Sequence, residues 1–134
     1  MKLKKVRGYI FCRSFMNERV PQHVQNIVIR DYCNKNNLTY LLSSTEYAMK
    51  NCHLMLEQVL DELKFIDGIV TYSLFQLPED QNARAKVYKK ILDLKKEIHF
   101  SVESLKIARQ GDVEKIENIW LVKQSLPGCL KSIS

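Results

Sequence analysis

Asp67-Gly68-Ile69-Val70-Thr71-Tyr72-Ser73-Leu74 is the stretch on which the fold turns. A turn dipeptide opens it, and β-branched and aromatic residues follow without a break. That is the composition of a strand buried on both faces. On its N-terminal side Cys52, Leu56, Val59, Leu60 and Leu63 recur at helical spacing, so a helix is expected to run to about Lys64. On its C-terminal side Pro78-Glu79-Asp80 opens another helix, with proline where no backbone donor is missed and acids at the positive end. Ala83, Val87, Ile91 and Leu94 form its expected inner face.

The same alternation extends in both directions. Residues 4–13 turn apolar and β-prone, and a helix over roughly 20–36 follows, with Val24, Ile27, Val28 and Cys33 facing inward and Pro21 in its first turn. Leu38-Thr39-Tyr40-Leu41-Leu42 reads as a short second strand, and Ser43 and Glu46 stand at capping-box spacing for the helix after it. Glu97 to Val102 alternates as a fourth strand. Residues 103–110 carry no clear pattern. Asp112 is the expected N-cap of a last helix whose apolar face is Val113, Ile116, Ile119 and Trp120, ended by Pro127-Gly128. Strands separated by amphipathic helices cannot be joined by hairpins. The expectation is therefore one α/β domain over residues 1–134: a three-layer sandwich with a four-stranded, mainly parallel sheet in the order 2-1-3-4 and helices on both faces. The crevice of such a sheet lies at the C-terminal ends of strands 1 and 3.

At 134 residues, 46% hydrophobic and 27% charged, the chain is long and apolar enough to bury a core, which excludes disorder. No apolar run approaches the roughly 18 residues that span a bilayer, and no signal-peptide core follows the basic start, so a cytoplasmic location without membrane insertion is expected. Lys and Arg number 21 against 15 Asp and Glu, a net charge of +6 that suits an anionic partner. Lys86, Lys89, Lys90, Lys95 and Lys96 fall on and beyond one helix and read as a solvated face before they read as a nucleic-acid stripe. Cys12, Cys33, Cys52 and Cys129 show no CxxC pairing and read as reduced thiols.

The crevice rule selects polar residues at strand exits: Arg13, Ser14, Arg19, Gln22 and His23 after the first strand, Ser44 and Glu46 after the second, Tyr72 and Gln76 after the third. Arg13 and Arg19 are candidate anion ligands, because guanidinium forks and helix N–H groups both suit phosphate or carboxylate. Ser14, Gln22, Ser44, Tyr72 and Gln76 are candidate ligand-binding groups, and His23 and Glu46 candidate acid–base groups. The plain alternative is that strand exits are always polar. Gly8, Gly68, Gly111 and Gly128 are isolated, so neither a P-loop nor a dinucleotide fingerprint is present, and no cofactor is expected. His23, His53 and His99 lack metal-ligand spacing, so no metal is expected either.

Gly8-Tyr9 through Arg13-Ser14, the helix with Gln25 and Tyr32-Cys33, and Asp67 through Leu77 resemble the catalytic domain of serine recombinases (resolvase-like) over residues 5–105. That family carries Tyr-x-Arg-x-Ser on its first strand. Here Phe11-x-Arg13-x-Phe15 occupies the frame, with phenylalanine in place of the nucleophilic serine. Its Leu-Asp-Arg-Leu-x-Arg segment reads Leu74-Phe75-Gln76-Leu77-Pro78-Glu79, without the phosphate-holding arginines. The resemblance implies the scaffold with DNA cleavage removed; the long helix and helix-turn-helix domain of recombinases are not expected within this chain. The opening from Lys5 to Asn26 and Glu46-Tyr47-Ala48-Met49 are also similar to the sporadic carbohydrate cluster family of small bacterial proteins. That resemblance implies a role in cell-surface carbohydrate synthesis, binding or modifying a sugar, sugar nucleotide or other anionic metabolite. Two alternatives stay open: a homodimeric interaction module using Leu121 and Val122 on the last helix, or a degenerate recombinase-like nucleic-acid binder. Whether the chain is an enzyme is left open too.

Overall fold

The computed structural model describes residues 3–16 and 18–125. Five strands and four helices follow in the order β1 (Lys4–Phe11), α1 (Gln22–Lys35), β2 (Leu38–Glu46), α2 (Leu54–Asp61), β3 (Gly68–Thr71), α3 (Gln81–Asp93), β4 (Glu97–Phe100), β5 (Leu105–Ile107) and α4 (Gln110–Gln124). The sheet order is β2-β1-β3-β4-β5. The four expected strands pair in parallel in the expected order, and β5 adds an antiparallel edge to β4. β5 is three residues long, too short for periodicity to reveal, so the sheet has one strand more than anticipated.

The pleat divides the core. Val6 and Ile10 of β1 and Val70 of β3 face α1, which covers them with Ile29, Tyr32 and Cys33. Tyr9, Phe11, Ile69, Ile98 and Phe100 face the other way, under Leu56, Val59 and Leu60 of α2, Val87, Tyr88 and Ile91 of α3, and Ile116 and Trp120 of α4. The chain moves from β1 to β2 across one face and returns past β1 to β3 across the other. The sheet therefore reverses direction at β1, and a crevice opens beyond the ends of β1 and β3.

Several element boundaries differ from the sequence reading. Ser43 and Glu46 do not cap a helix start together; they continue β2, and α2 begins at Leu54. The cause is a bulge. Arg7 pairs with Leu41 and Gly8 with Ser43, so Leu42 is the extra residue, and it stands 73% exposed. Arg7 Nη1 donates to the freed Leu42 carbonyl at 2.8 Å. Gly8 is required here, because a Cβ would lie 2.1 Å from Ser43 Oγ. The inner face of α1 is Gln25, Ile29, Tyr32 and Cys33, whereas Ile27 is exposed. On α3 the face includes Arg84 and Tyr88, with Leu94 partly exposed. α4 starts two residues before Asp112, whose carboxylate instead accepts from the Ala108 and Arg109 amides behind it. The expected stop at Pro127-Gly128 and Cys129 lie outside the described residues.

Candidate functional site

A cleft of about 530 Å³ opens where the crevice rule places it. Phe11, Arg13, Ser14, Phe15 and Met16 enter it from the exit of β1; Ala48, Lys50, Asn51 and His53 from the loop after β2; Phe75, Leu77 and Glu79 from the segment after β3; and Trp120 and Gln124 from α4. Four aromatic rings share its walls with two cations and one acid.

Arg13 is held in place. Its guanidinium lies 4.2 Å from the centre of the Phe11 ring, and Nη1 donates to the Tyr47 carbonyl at 2.7 Å. Nε and Nη2 make no side-chain hydrogen bond among the described residues. Phe15 is buried, packed edge-on against Phe11 at 5.6 Å and Tyr72 at 6.1 Å. Its backbone exchanges two 2.9 Å hydrogen bonds with Glu18, which turns the chain back towards α1. Ser14 stands exposed on the rim. His53 precedes α2 and lies 6.0 Å from the Phe11 ring; burial, and next the Arg13 charge, push its pKa below the usual histidine value. It is the neutral imidazole of the cleft, and its Nε2 has no hydrogen-bond partner.

The other expected residues divide into two groups. Arg19, Gln22 and His23 are exposed around the start of α1 and do not line the cleft, so the four-residue pocket of Arg13, Arg19, Gln22 and His23 does not assemble. The second group is committed to the fold. Glu46 is 1% exposed and accepts five hydrogen bonds: Oε1 from the Tyr9 hydroxyl and the Leu56 amide, Oε2 from the Tyr47 and Met55 amides, these four at 2.8–3.2 Å, and Oε2 also from the Cys52 thiol at 3.6 Å. Burial would raise its pKa, but these donors at the N-terminus of α2 outweigh that and hold it lowered. A carboxylate so occupied is a cap and not a proton shuttle. Gln76 Oε1 accepts from the Tyr72 and Ser73 amides, and Nε2 donates to Gln25, which in turn bonds both backbone groups of Phe11. Tyr72 is half-buried against Phe15, and Ser44 sits in mid-ladder opposite Tyr9. The residues that sequence reasoning missed are Lys50, Asn51, His53, Glu79 and Trp120. The signal for His53 was present, since it follows the second strand; placing it in mid-helix concealed it.

The structure is similar to the N-terminal catalytic domain of TP901-1 integrase, with a TM-score of 0.64 at 11% identity over 88% of this chain and 94% of that one. It is also similar to a resolvase family site-specific recombinase from Streptococcus pneumoniae, with a TM-score of 0.61 at 10% identity over 96% and 98%. The fold is resolvase-like. No family model matches the sequence, and no curated protein matches it closely enough to report. Within the resolvase-like frame Phe15 stands where the resemblance puts the nucleophile, and a buried phenyl ring has no group to attack phosphorus. Among the described residues no cluster of three or more metal-ligating side chains occurs, and no helix is long and apolar enough to cross a membrane.

Proposed function

We propose that this chain is a cytoplasmic binding protein built on a recombinase-type scaffold, and that its cleft holds a sugar phosphate, sugar nucleotide or related anion of cell-surface carbohydrate synthesis. The observation that carries the reading is Arg13: a cation fixed against Phe11, with donors to spare, in a cleft that also presents Lys50. Guanidinium donors of this kind suit phosphate oxygens. Phe75, partly exposed, supplies flat apolar surface of the sort that packs on a sugar or base face. The likeness of Lys5–Asn26 to the carbohydrate cluster proteins supports a sugar over other anions. Thermal-shift measurements with sugar phosphates and sugar nucleotides test the reading: a stabilising ligand is expected, with the shift abolished in Arg13→Ala. A wild-type protein stabilised by none of them, yet binding duplex DNA with a steep salt dependence, would favour the nucleic-acid alternative.

A second reading concerns assembly. Leu121 and Val122 on α4 are 65% and 57% exposed, which supports a second copy packing there.

A further inference from the structure

We propose that the cleft continues into the furrow between α2 and α3 as one elongated site, and that its ligand is an anion carrying an aliphatic chain, an alkyl phosphate ester or alkyl phosphosugar. This rests on the anion-binding reading of the cleft and extends it. The furrow has a volume of about 700 Å³ and shares Asn51, His53 and Glu79 with the cleft, so the two spaces meet along one wall.

Their chemistry differs in a way that divides a ligand in two. The cleft is walled by Phe11, Phe15, Phe75 and Trp120, whereas the lining of the furrow contains no phenyl or indole ring. Its floor is Leu56, Leu60, Ala83 and Val87, a surface that gains free energy from methylene groups by removing them from water and offers no platform for a base or sugar. Leu54 stands 53% exposed on its edge and extends that apolar surface outward. Charge selects against a second phosphate. The acids Glu57, Asp61, Glu79 and Asp80 outnumber Lys86 and Lys90, and Lys90 is already paired with Asp61 across the furrow. A diphosphate extension would meet a net negative wall; a hydrocarbon chain carries no charge for that wall to repel.

The test is calorimetric titration of the full chain with inorganic phosphate and with butyl, hexyl and octyl phosphate, each below its micelle threshold. Burial of each methylene tightens binding about twofold to fourfold, so octyl phosphate is expected to bind at least tenfold tighter than butyl phosphate. Ala83→Phe, which fills the furrow, should flatten the series and leave phosphate binding unchanged. Leu54→Asp changes an exposed side chain, keeps the fold, and should weaken octyl phosphate alone. Phosphate binding with no dependence on chain length in the wild type overturns this extension and leaves the anion reading standing. No binding of phosphate or any ester overturns both. Octanol binding as tightly as octyl phosphate overturns the union of the two spaces.

Discussion

Replacing Glu46 by glutamine removes a charge and one acceptor while conserving shape, and the structure sets the cost. One carboxylate oxygen accepts from the Tyr9 hydroxyl and the Leu56 amide, the other from the Tyr47 and Met55 amides and the Cys52 thiol. With NH2 at the Oε2 position the Tyr47 and Met55 amides both face a donor; with NH2 at the Oε1 position the Tyr9 hydroxyl can turn to accept, and the Leu56 amide is left without an acceptor. A hydrogen bond to a charged group contributes about 1.5–3 kcal/mol, so the loss in the better orientation is about 1.5–3 kcal/mol, a sizeable share of the roughly 5–15 kcal/mol that holds a domain folded. The pH dependence is specific. The folded-state pKa of Glu46 lies below its unfolded value, so its contribution is complete above about 4.5 and is lost as pH falls through the folded pKa. A protonated Glu46 has the same defect as glutamine, and the gap between wild type and variant should therefore narrow at about pH 3.5. Other carboxylates titrate in both proteins and cancel in the difference. Urea unfolding read by the fluorescence of Trp120, the single tryptophan, measures it at both pH values. A variant within about 1 kcal/mol of wild type at neutral pH, or a gap that does not shrink in acid, refutes the assignment of Glu46 as a helix cap.

Gly8→Ala should cost about 1–3 kcal/mol, because its Cβ would overlap Ser43 Oγ, and adding Ser43→Gly should recover part of that loss in the same denaturation assay. His53 and His99 both have pKa values lowered, chiefly by burial, so the unfolded chain takes protons that the folded chain refuses. Stability should fall as pH drops below about 6.5, and a His53→Gln, His99→Gln double variant should flatten that limb in calorimetric scans from pH 7 to 5. If α4 pairs two copies, Leu121→Glu converts a dimer to a monomer in light scattering with no loss of melting temperature; a wild-type monomer at high concentration removes that reading.

The layer order was legible because it follows from alternation alone: amphipathic segments between β-prone runs leave few topologies. What was not legible depended on residues whose role is set by distant partners. Gln25 sits at the centre of the inner face of α1, where a polar residue breaks the apolar period, and the expected face rotated towards Ile27 in consequence. Its burial makes sense only with Phe11 and Gln76 in place. The Ser43–Glu46 run has capping chemistry by composition, and Glu46 does cap α2, but from the end of β2 and eight residues before the helix begins. For the site, the density of polar residues from Arg13 to His23 located the correct strand exit. Of these, Arg13 and Ser14 line the cleft whereas Arg19, Gln22 and His23 do not, and no periodicity encodes that division.

Two of the arginines stacked on aromatic rings, Arg84 and Arg13, show how the candidate site separates from the scaffold. Arg84 lies 4.2 Å from the Trp120 ring and is buried; it gives Nε and Nη2 to Glu117 and Nη1 to the Pro78 and Glu79 carbonyls. Its hydrogen-bonding capacity is nearly saturated, and its effect is to lock α4 onto α3. Arg13 lies at the same distance from Phe11 but spends one nitrogen on Tyr47 and keeps the others. Among the described residues, the buried side-chain nitrogen and oxygen atoms without a partner are His53 Nε2 and Trp120 Nε1, and both residues line the cleft that Arg13 enters. An unpartnered buried donor or acceptor costs about 1–3 kcal/mol, and folds rarely retain one without cause. Both atoms are buried behind the cleft wall, whereas Arg13 is partly exposed and keeps two nitrogens without a side-chain hydrogen bond, so among these groups Arg13 is the one a solute can reach.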